Sequence, residues 1–506
     1  MKKQDIAEIN IWWKFGKEFD NYDNTMKLLK KKPIVFHRDE IELLPGNIYI
    51  IRGPRQVGKT VWIKQTIKKL LDENINQKSI FYLSCDSLTG KTRKELNNEI
   101  RFFIDNVGMD KKPLYIFLDE ITSVTDWNIE LKTLVDSGLT ENCVIVVTGS
   151  NPWEIKYRKE RLPGRGVEGN EKLFFPLLFR DFVLQLKILP SWLGNENVNL
   201  IASLNKFYKE AENFIPANIE NKDNVISCLR NILPYQKELS FLFQIYLRTG
   251  GIPESINSYC FNKYHSEKKE EKIDTRVYEQ FINVVLGDLA KMVRNEGSLR
   301  EVIDVVAGQQ GNKYSFTNIV EKMSNQPDHK TVTTYTELLK ETLLTRTFYS
   351  YGFNKMKNRP KADKKIYFYD PFLFYSVRGW LSGKEGYEVC SDTIMNDEIL
   401  SNLIEGIIGH HIAATNEKLP MQDMITFLWL YYDKSREIDF LYKKKDDKFI
   451  GLEVKYQNNV SLRDMSIIDK INEYYLISKD TFELNNISII PVHLFLFLLQ
   501  KSDGHI

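Results

Sequence analysis

The chain has 506 residues, roughly three times what one domain usually takes, so two to four domains are expected. Apolar residues make up 42% and charged residues 27%, and 70 Lys and Arg against 68 Asp and Glu leave a net charge of +2. That balance excludes a disordered or fibrous chain and a globally basic nucleic-acid coat, but not a local basic patch.

Five scattered cysteines, Cys85, Cys143, Cys228, Cys260 and Cys390, show no C-x-x-C spacing, which argues against a disulfide framework or a zinc module. The first residues lack a signal-peptide core, and no run approaches the ~18–20 apolar residues of a membrane span. The longest such patch, 489–499, is broken by Pro491 and His493. A cytoplasmic protein with no membrane partner is the expectation. The Trp12-Trp13 pair is expected to pack beneath the first sheet rather than to dock a partner.

Between residues 47 and 149, short apolar runs at 48–52, 79–84, 114–118 and 144–148 alternate with helical spacing at 60–72 and 91–107. Continuous apolar strands alternating with helices predict a parallel sheet buried on both faces. Gly53, Pro54, Arg55, Gln56, Val57, Gly58, Lys59 and Thr60 fit G-x-x-x-x-G-K-[ST], between a strand and a helix as that pattern requires. Its glycines let main-chain N–H groups curl around a phosphate at the positive end of the helix. Lys59 would reach the β and γ oxygens, and the Thr60 hydroxyl would ligate Mg²⁺.

The 114–118 run ends in Asp119-Glu120, where Asp119 would hold Mg²⁺ and Glu120 would polarise the attacking water. The next strand ends Thr148-Gly149-Ser150-Asn151, so Ser150 or Asn151 could sense a γ-phosphate or simply form a turn. ATP and Mg²⁺ are the expected cofactors, and ATP hydrolysis the expected activity.

Residues 172–258 read as mostly helical, punctuated by Pro190, Pro216 and Pro234, and the mixed charge run at 266–274 reads as a solvated helix face or linker. Helical stretches follow at 299–306, 315–323 and 331–344, with Ser315 and Asp328 placed to cap the second and third. Strand-like runs at 345–351 and 365–370 close them, which is the winged-helix arrangement. In that arrangement the third helix enters the major groove of DNA and the hairpin tip touches its backbone. Lys330, Thr333 and Thr334 on the helix, and Lys355, Lys357, Arg359 and Lys361 at the tip, are the candidate DNA contacts. Lys364 and Lys365 add to the same basic stretch, opposed by Asp363 alone; lysines that merely keep a loop tip soluble are the competing reading.

The last part returns to α/β, with a helix at 399–411 and strands at 424–432, 437–442 and 449–454. Pairing of the last two strands would set Asp439 beside Glu453, and Glu453 and Lys455, two apart, would share a face. Two acids and a lysine suit metal-assisted phosphodiester hydrolysis, with Glu405 on the preceding helix completing a metal shell of Glu405, Asp439 and Glu453. A decorative cross-strand Glu–Lys pair is the competing reading. His410 and His411 lack a partner spaced for zinc, so packing or capping is expected of them.

GPRQVGKT, LDE followed by Trp127, TGSN, LPGR leading into FPLLFRDF, and YLRTGGIPES occur in this order. In this the chain resembles a group of archaeal and bacterial AAA+-type ATPases, over roughly residues 42–254 and on into the C-terminal part. The resemblance implies an α/β fold: a P-loop NTPase (AAA+-like) parallel sheet with a helical lid, a winged-helix domain and a C-terminal restriction-endonuclease-like α/β domain. The corresponding boundaries are 1–171, 172–285, 286–385 and 386–506.

It also implies that Arg165, with Arg161 close by, is a finger presented to a neighbouring subunit, and hence a homo-oligomer. Arg248 would be a candidate lid arginine. Glu405, Asp439 and Glu453-Val454-Lys455 are similar by type and order to the PD-(D/E)XK nucleases, although the Pro-Asp signature is absent and Glu437-Ile438 precede Asp439. The expected function is an ATPase that engages double-stranded or branched DNA in processing, repair or defence. The alternative is a signalling or scaffold switch that binds a protein partner and carries an inactive nuclease-like domain.

Overall fold

The computed structural model describes residues 3–108, 111, 113–149, 170–194, 197–293, 295–416, 427–485 and 487–499. Ser150, Asn151, Arg161 and Arg165 lie outside the described residues. Contacts divide the chain into two compact units, one running to Phe175 and the other starting at Pro176.

The first unit is built on β1 (Ile48–Arg52), β2 (Ile80–Ser84), β3 (Leu114–Asp119), β4 (Cys143–Gly149) and β5 (Glu171–Leu173). Their order is β2-β3-β4-β1-β5, and every neighbouring pair is parallel. All residues of β1, β3 and β4 are buried, which is why these strands read as unbroken apolar runs rather than alternating ones. Parallel neighbours need crossovers, supplied by the helices Lys59–Asp72, Arg93–Asn106 and Trp127–Asp136. Phe103, Trp127 and Leu131 from these helices pack on Phe81, Ile116 and Ile145 of the sheet. Because β4 separates β1 from β3, the loop after β1 and the acidic end of β3 flank the end of β4. Trp12 and Trp13 both donate their indole N–H to the Ile80 carbonyl, at 3.0 and 2.8 Å, and Trp13 stacks on Phe103. The pair is thus packing for the sheet.

The second unit carries the helices Glu296–Gly308, Phe316–Lys322 and His329–Glu341. Ser315 caps the second through a reciprocal box with Asn318, and the Asp328 carboxylate accepts from Thr331 N at 2.6 Å to cap the third. Next come β6 (Thr345–Phe348), β7 (Ser350–Gly352), β8 (Lys357–Arg359) and β9 (Lys365–Phe368). They are followed by β10 (Leu428–Tyr432), β11 (Glu437–Lys443), β12 (Phe449–Lys455), β13 (Glu473–Ser478), β14 (Glu483–Leu484) and β15 (Ser488–Pro491). β6 and β9 form an antiparallel pair, from Thr345↔Phe368 to Phe348↔Lys365.

The strand predicted to run through 345–351 is split after Phe348. β7 leaves β9, pairs with β8, and joins β10 at Ser350↔Leu430, giving an eight-stranded sheet of order β14-β15-β13-β12-β11-β10-β7-β8. Aromatic packing accounts for the switch: Tyr351 lies 4.6 Å from Trp429 between ring centres, and Phe353 lies 5.1 Å from Phe449.

The helix Asp397–Asn416 lies close against β9 and β11 because its facing positions are glycines. A Cβ on Gly406 would sit 2.8 Å from the Tyr367 ring, and one on Gly409 2.5 Å from Phe440. Among the described residues no helix is long and apolar enough to cross a membrane, and all five cysteines are buried and free.

Candidate nucleotide site and acid–lysine cluster

In the first unit the loop after β1 turns through left-handed backbone at Gln56 (φ 63°) and Gly58 (φ 94°) and opens directly into the helix Lys59–Asp72. Beyond its chain neighbours, nothing lies within 4 Å of where a Gly58 Cβ would stand. The Lys59 ammonium, 6% exposed with its side chain folded back, donates to the carbonyls of Gly53 (2.8 Å) and Pro54 (2.9 Å). The Thr60 hydroxyl donates to Asp119 Oδ2 at 2.7 Å, so the two groups expected to share a cation already touch. The arrangement fits ATP and Mg²⁺: Thr60 and Asp119 would hold the ion, and Lys59 with the loop amides would hold the phosphates.

The structure adds residues that sequence reasoning missed. Thr148 at the end of β4 donates its hydroxyl to Asp119 Oδ1 and accepts the Glu120 N–H at 3.3 Å. One hydroxyl therefore ties together the two acidic residues, and Glu120 itself has left-handed backbone (φ 52°). The Tyr82 hydroxyl donates to Asp119 Oδ2 at 3.1 Å; burial, and then the Asp119 charge, push its pKa far above the usual tyrosine value, so it remains a donor. Arg38 holds the loop from outside through the Val57 carbonyl at 2.6 and 3.1 Å, and Arg55 lies 3.6 Å from Glu120 Oε1.

Behind Tyr82, the buried Lys64 pairs with Asp23 at 3.1 Å and lies 3.8 Å from the Tyr82 ring centre, burial lowering its pKa against the pull of Asp23. Removing one neutral donor from Asp119 loosens the carboxylate without unpairing it. Tyr82→Phe is therefore expected to lower ATP turnover about tenfold, the equivalent of ~1–1.5 kcal/mol, with nucleotide affinity unchanged. Steady-state phosphate release beside a binding titration measures both.

In the second unit the register Phe440↔Leu452 of β11 and β12 brings Asp439 to the Glu453–Lys455 segment, and Val454 N donates to Asp439 Oδ2 at 3.0 Å. Lys455 pairs with Glu453 Oε1 at 2.8 Å, and Glu405 approaches from the helix Asp397–Asn416. The residues predicted to cluster, Glu405, Asp439, Glu453 and Lys455, are thus brought together. So is one read differently: Lys365 of β9 places its ammonium 2.6 Å from Glu405 Oε1, 3.0 Å from Glu437 Oε1 and 3.1 Å from Asp439 Oδ1. Tyr367, two residues on and so on the same face of β9, donates to Glu405 Oε1.

Burial first, and the Asp439 charge second, raise both Glu405 and Glu453 to about 8. Burial also opposes ionisation of Asp439, but Lys365, the Val454 amide and Lys455 outweigh it and hold that carboxyl below the usual range.

At the candidate DNA contacts, Lys330, Thr334, Lys355, Lys357, Arg359 and Lys361 are exposed and Thr333 is half-buried. The Thr333 and Thr334 hydroxyls donate to the carbonyls of His329 and Lys330, each at 2.8 Å. Lys364 and Lys365, counted with the tip from sequence, are internal at 1% and 4% exposure, and Lys364 lies over the Phe316 ring. The exposed basic surface is smaller than the sequence suggests by those two charges.

His410 stacks on Tyr369 at 4.2 Å, and His411 accepts Phe179 N at 2.9 Å, so both are packing residues. Arg248 pairs with Glu271 at 2.9 Å and donates to the Gln244 carbonyl.

Residues 45–183 match the model of a family described as an AAA domain. Residues 241–384 and 400–494 match two domains of unknown function, DUF8612 and DUF4143. An uncharacterized protein of Methanocaldococcus jannaschii, MJ1544, is 29% identical over 187 residues, which are 36% of this chain and 39% of that protein. The match thus spans about two-fifths of that relative's length. An uncharacterized protein of Haemophilus influenzae is 22% identical over 407 residues, covering 79% of this chain and 80% of that one.

Among solved structures, that of the Aeropyrum pernix ORC1 protein in complex with DNA aligns with a TM-score of 0.32 at 11% identity, covering 74% of this chain and 91% of that one. That of a DNA polymerase III gamma subunit-related protein of Thermotoga maritima aligns with a TM-score of 0.20 at 11% identity, covering 62% and 90%. At these scores neither likeness carries an argument. Residues 45–183 thus match an AAA domain and carry a P-loop beside the acidic end of β3.

Proposed function

We propose that this chain hydrolyses ATP and that its nucleotide state governs engagement of double-stranded or branched DNA by the second unit. The observation that carries the reading is the hydroxyl–carboxylate group of Thr60, Asp119 and Thr148 at the P-loop, with Glu120 anchored beside it. Lys59 exchanges the Gly53 and Pro54 carbonyls for β- and γ-phosphate oxygens. Thr60 and Asp119 would hold Mg²⁺, which would supply charge neutralisation on the phosphates. Glu120, fixed through its N–H by Thr148, orients the attacking water and accepts its proton. Arg165, by its match to related ATPases, would act across a subunit interface, which makes a homo-oligomer part of the proposal.

For DNA, the support is a three-helix group followed by a hairpin whose exposed side chains include the basic Lys355, Lys357, Arg359 and Lys361. The third helix adds Lys330, Thr333 and Thr334. Changing Lys355, Lys357 and Lys361 together to Glu is expected to weaken duplex affinity at least about tenfold and to flatten the salt slope by about three. An electrophoretic titration at several salt concentrations reads both; an unchanged slope rejects the hairpin as a phosphate contact.

The C-terminal strands with Asp439, Glu453 and Lys455 support a restriction-endonuclease-like region. The pairing of Glu405 and Asp439 with Lys365 favours a form of it that does not cut. The deciding experiment is ATP turnover with single-stranded, duplex, forked and four-way DNA, with products resolved on a denaturing gel. Stimulation without cleavage supports the reading. Turnover indifferent to every DNA replaces it with a switch that binds a protein partner.

A further inference from the structure

We propose that Lys365 is the built-in cation of the acid cluster, occupying the seat between Glu405 and Asp439 that a divalent ion would take in a metal-dependent nuclease. The C-terminal region is then metal-independent, and its cluster is an ionic joint between β9, β11 and the helix Asp397–Asn416.

An ammonium has three protons and no acceptor, and here it meets three carboxylate oxygens, at 2.6, 3.0 and 3.1 Å. Its capacity is filled. Lys365 is 4% exposed, so its charge cannot reach water by extending along the surface. Its strand is also pinned, by the ladder to β6 and by Phe368 N donating to Gln310 Oε1 at 3.1 Å.

The acids are themselves committed. Asp439 Oδ2 accepts Val454 N, Glu405 Oε1 accepts both Lys365 and Tyr367, and Glu453 Oε1 faces Lys455. Glu453 Oε2, buried with no hydrogen-bond partner, and Glu405 Oε2 are the oxygens left over, and two fall short of the near-octahedral oxygen ligation that Mg²⁺ asks for. Among the described residues no group of three or more His, Cys, Asp or Glu side chains is arranged to hold a metal ion. The acidic residues therefore do not fit a resident ion. An ammonium balances their charge, but it lowers no bound water's pKa and cannot generate hydroxide. The cluster keeps the residue types of a hydrolytic site without the means to hydrolyse.

The test titrates Mn²⁺ into the nucleotide-free full chain, reading free ion by electron paramagnetic resonance, for wild type, Asp439→Asn, Lys365→Gln and the double variant. Wild type and Asp439→Asn are expected to bind Mn²⁺ identically. Lys365→Gln is expected to gain one site per chain, at least about tenfold tighter than any in wild type, which the added Asp439→Asn removes. Wild type binding one ion more than Asp439→Asn overturns the proposal, as does a folded Lys365→Gln that gains no site. Should Lys365→Gln fail to fold, the comparison of wild type with Asp439→Asn decides alone. Neither ATP nor DNA enters the measurement, so its outcome is separate from that of the ATPase and DNA-engagement readings.

Discussion

Lys59→Ala is expected to reduce ATP turnover by about 10³-fold or more, the scale lost when a preorganised charge at the reacting phosphate is removed. The residue is fixed at the first position of its helix and its ammonium is held at 2.8 and 2.9 Å by two loop carbonyls, so the charge is delivered to one place. Alanine keeps the helix start and deletes only the charge. Glu120→Gln is the companion: it keeps the shape and the Thr148 anchor, loses the proton acceptor, and should bind ATP while scarcely turning it over. Phosphate release together with binding of a fluorescent nucleotide distinguishes the two. Turnover surviving either change would reject the assignment of that residue.

Lys365→Met is expected to cost the second unit about 3–5 kcal/mol, the range for removing one partner of a buried ion pair and leaving the other uncompensated. Methionine fills similar volume, so the loss is electrostatic, and pH separates it from packing. Without the ammonium, Glu405 and Asp439 must hold protons in the folded state, and their folded pKa values rise above the unfolded ones. Stability is then greatest below the unfolded pKa and falls as pH rises. Asp439, which Lys365 holds below the usual range against its burial in the wild type, carries this dependence, whereas Glu405, already raised to about 8 by burial and then by Asp439 with the ammonium present, adds to the deficit only above that pH. The deficit should be small near about pH 5 and largest near about pH 8. Denaturant unfolding at the two pH values measures it, and an equal deficit at both would mean that packing, not charge, was lost.

The nucleotide site was legible because its parts are contiguous. Gly53 to Thr60 is a single motif, and Asp119-Glu120 ends an apolar run of strand length. Thr148 and Tyr82 were not legible, because a hydroxyl at a strand end carries no spacing that marks it. Only the order of β4 between β1 and β3 brings Thr148 to Asp119.

In the second cluster, Asp439, Glu453 and Lys455 followed from strand alternation. Lys365 escaped because it lies 40 and 74 residues from the acids it meets, within a basic stretch that reads as a loop tip. The surviving local signal was weak: Lys365 and Tyr367 alternate with apolar Ile366 and Phe368, the pattern of a strand with a polar face. The split after Phe348 was illegible for a similar reason, since the Tyr351–Trp429 contact that draws β7 away is made across 78 positions of sequence.

The switch of β7 into the large sheet, with Lys365 reaching the acids of later segments, bears on how such a chain could be shuffled. A cut between residues 385 and 386 looks like a natural seam in sequence, yet it would part β7 from β10 and Lys365 from Glu405 and Asp439. A chimera assembled at that seam would inherit either an ammonium buried without acids or acids buried without an ammonium. The two stretches are thus expected to travel and diverge as one cassette, with a charge change at position 365 tolerated only alongside a matching change at 405 or 439.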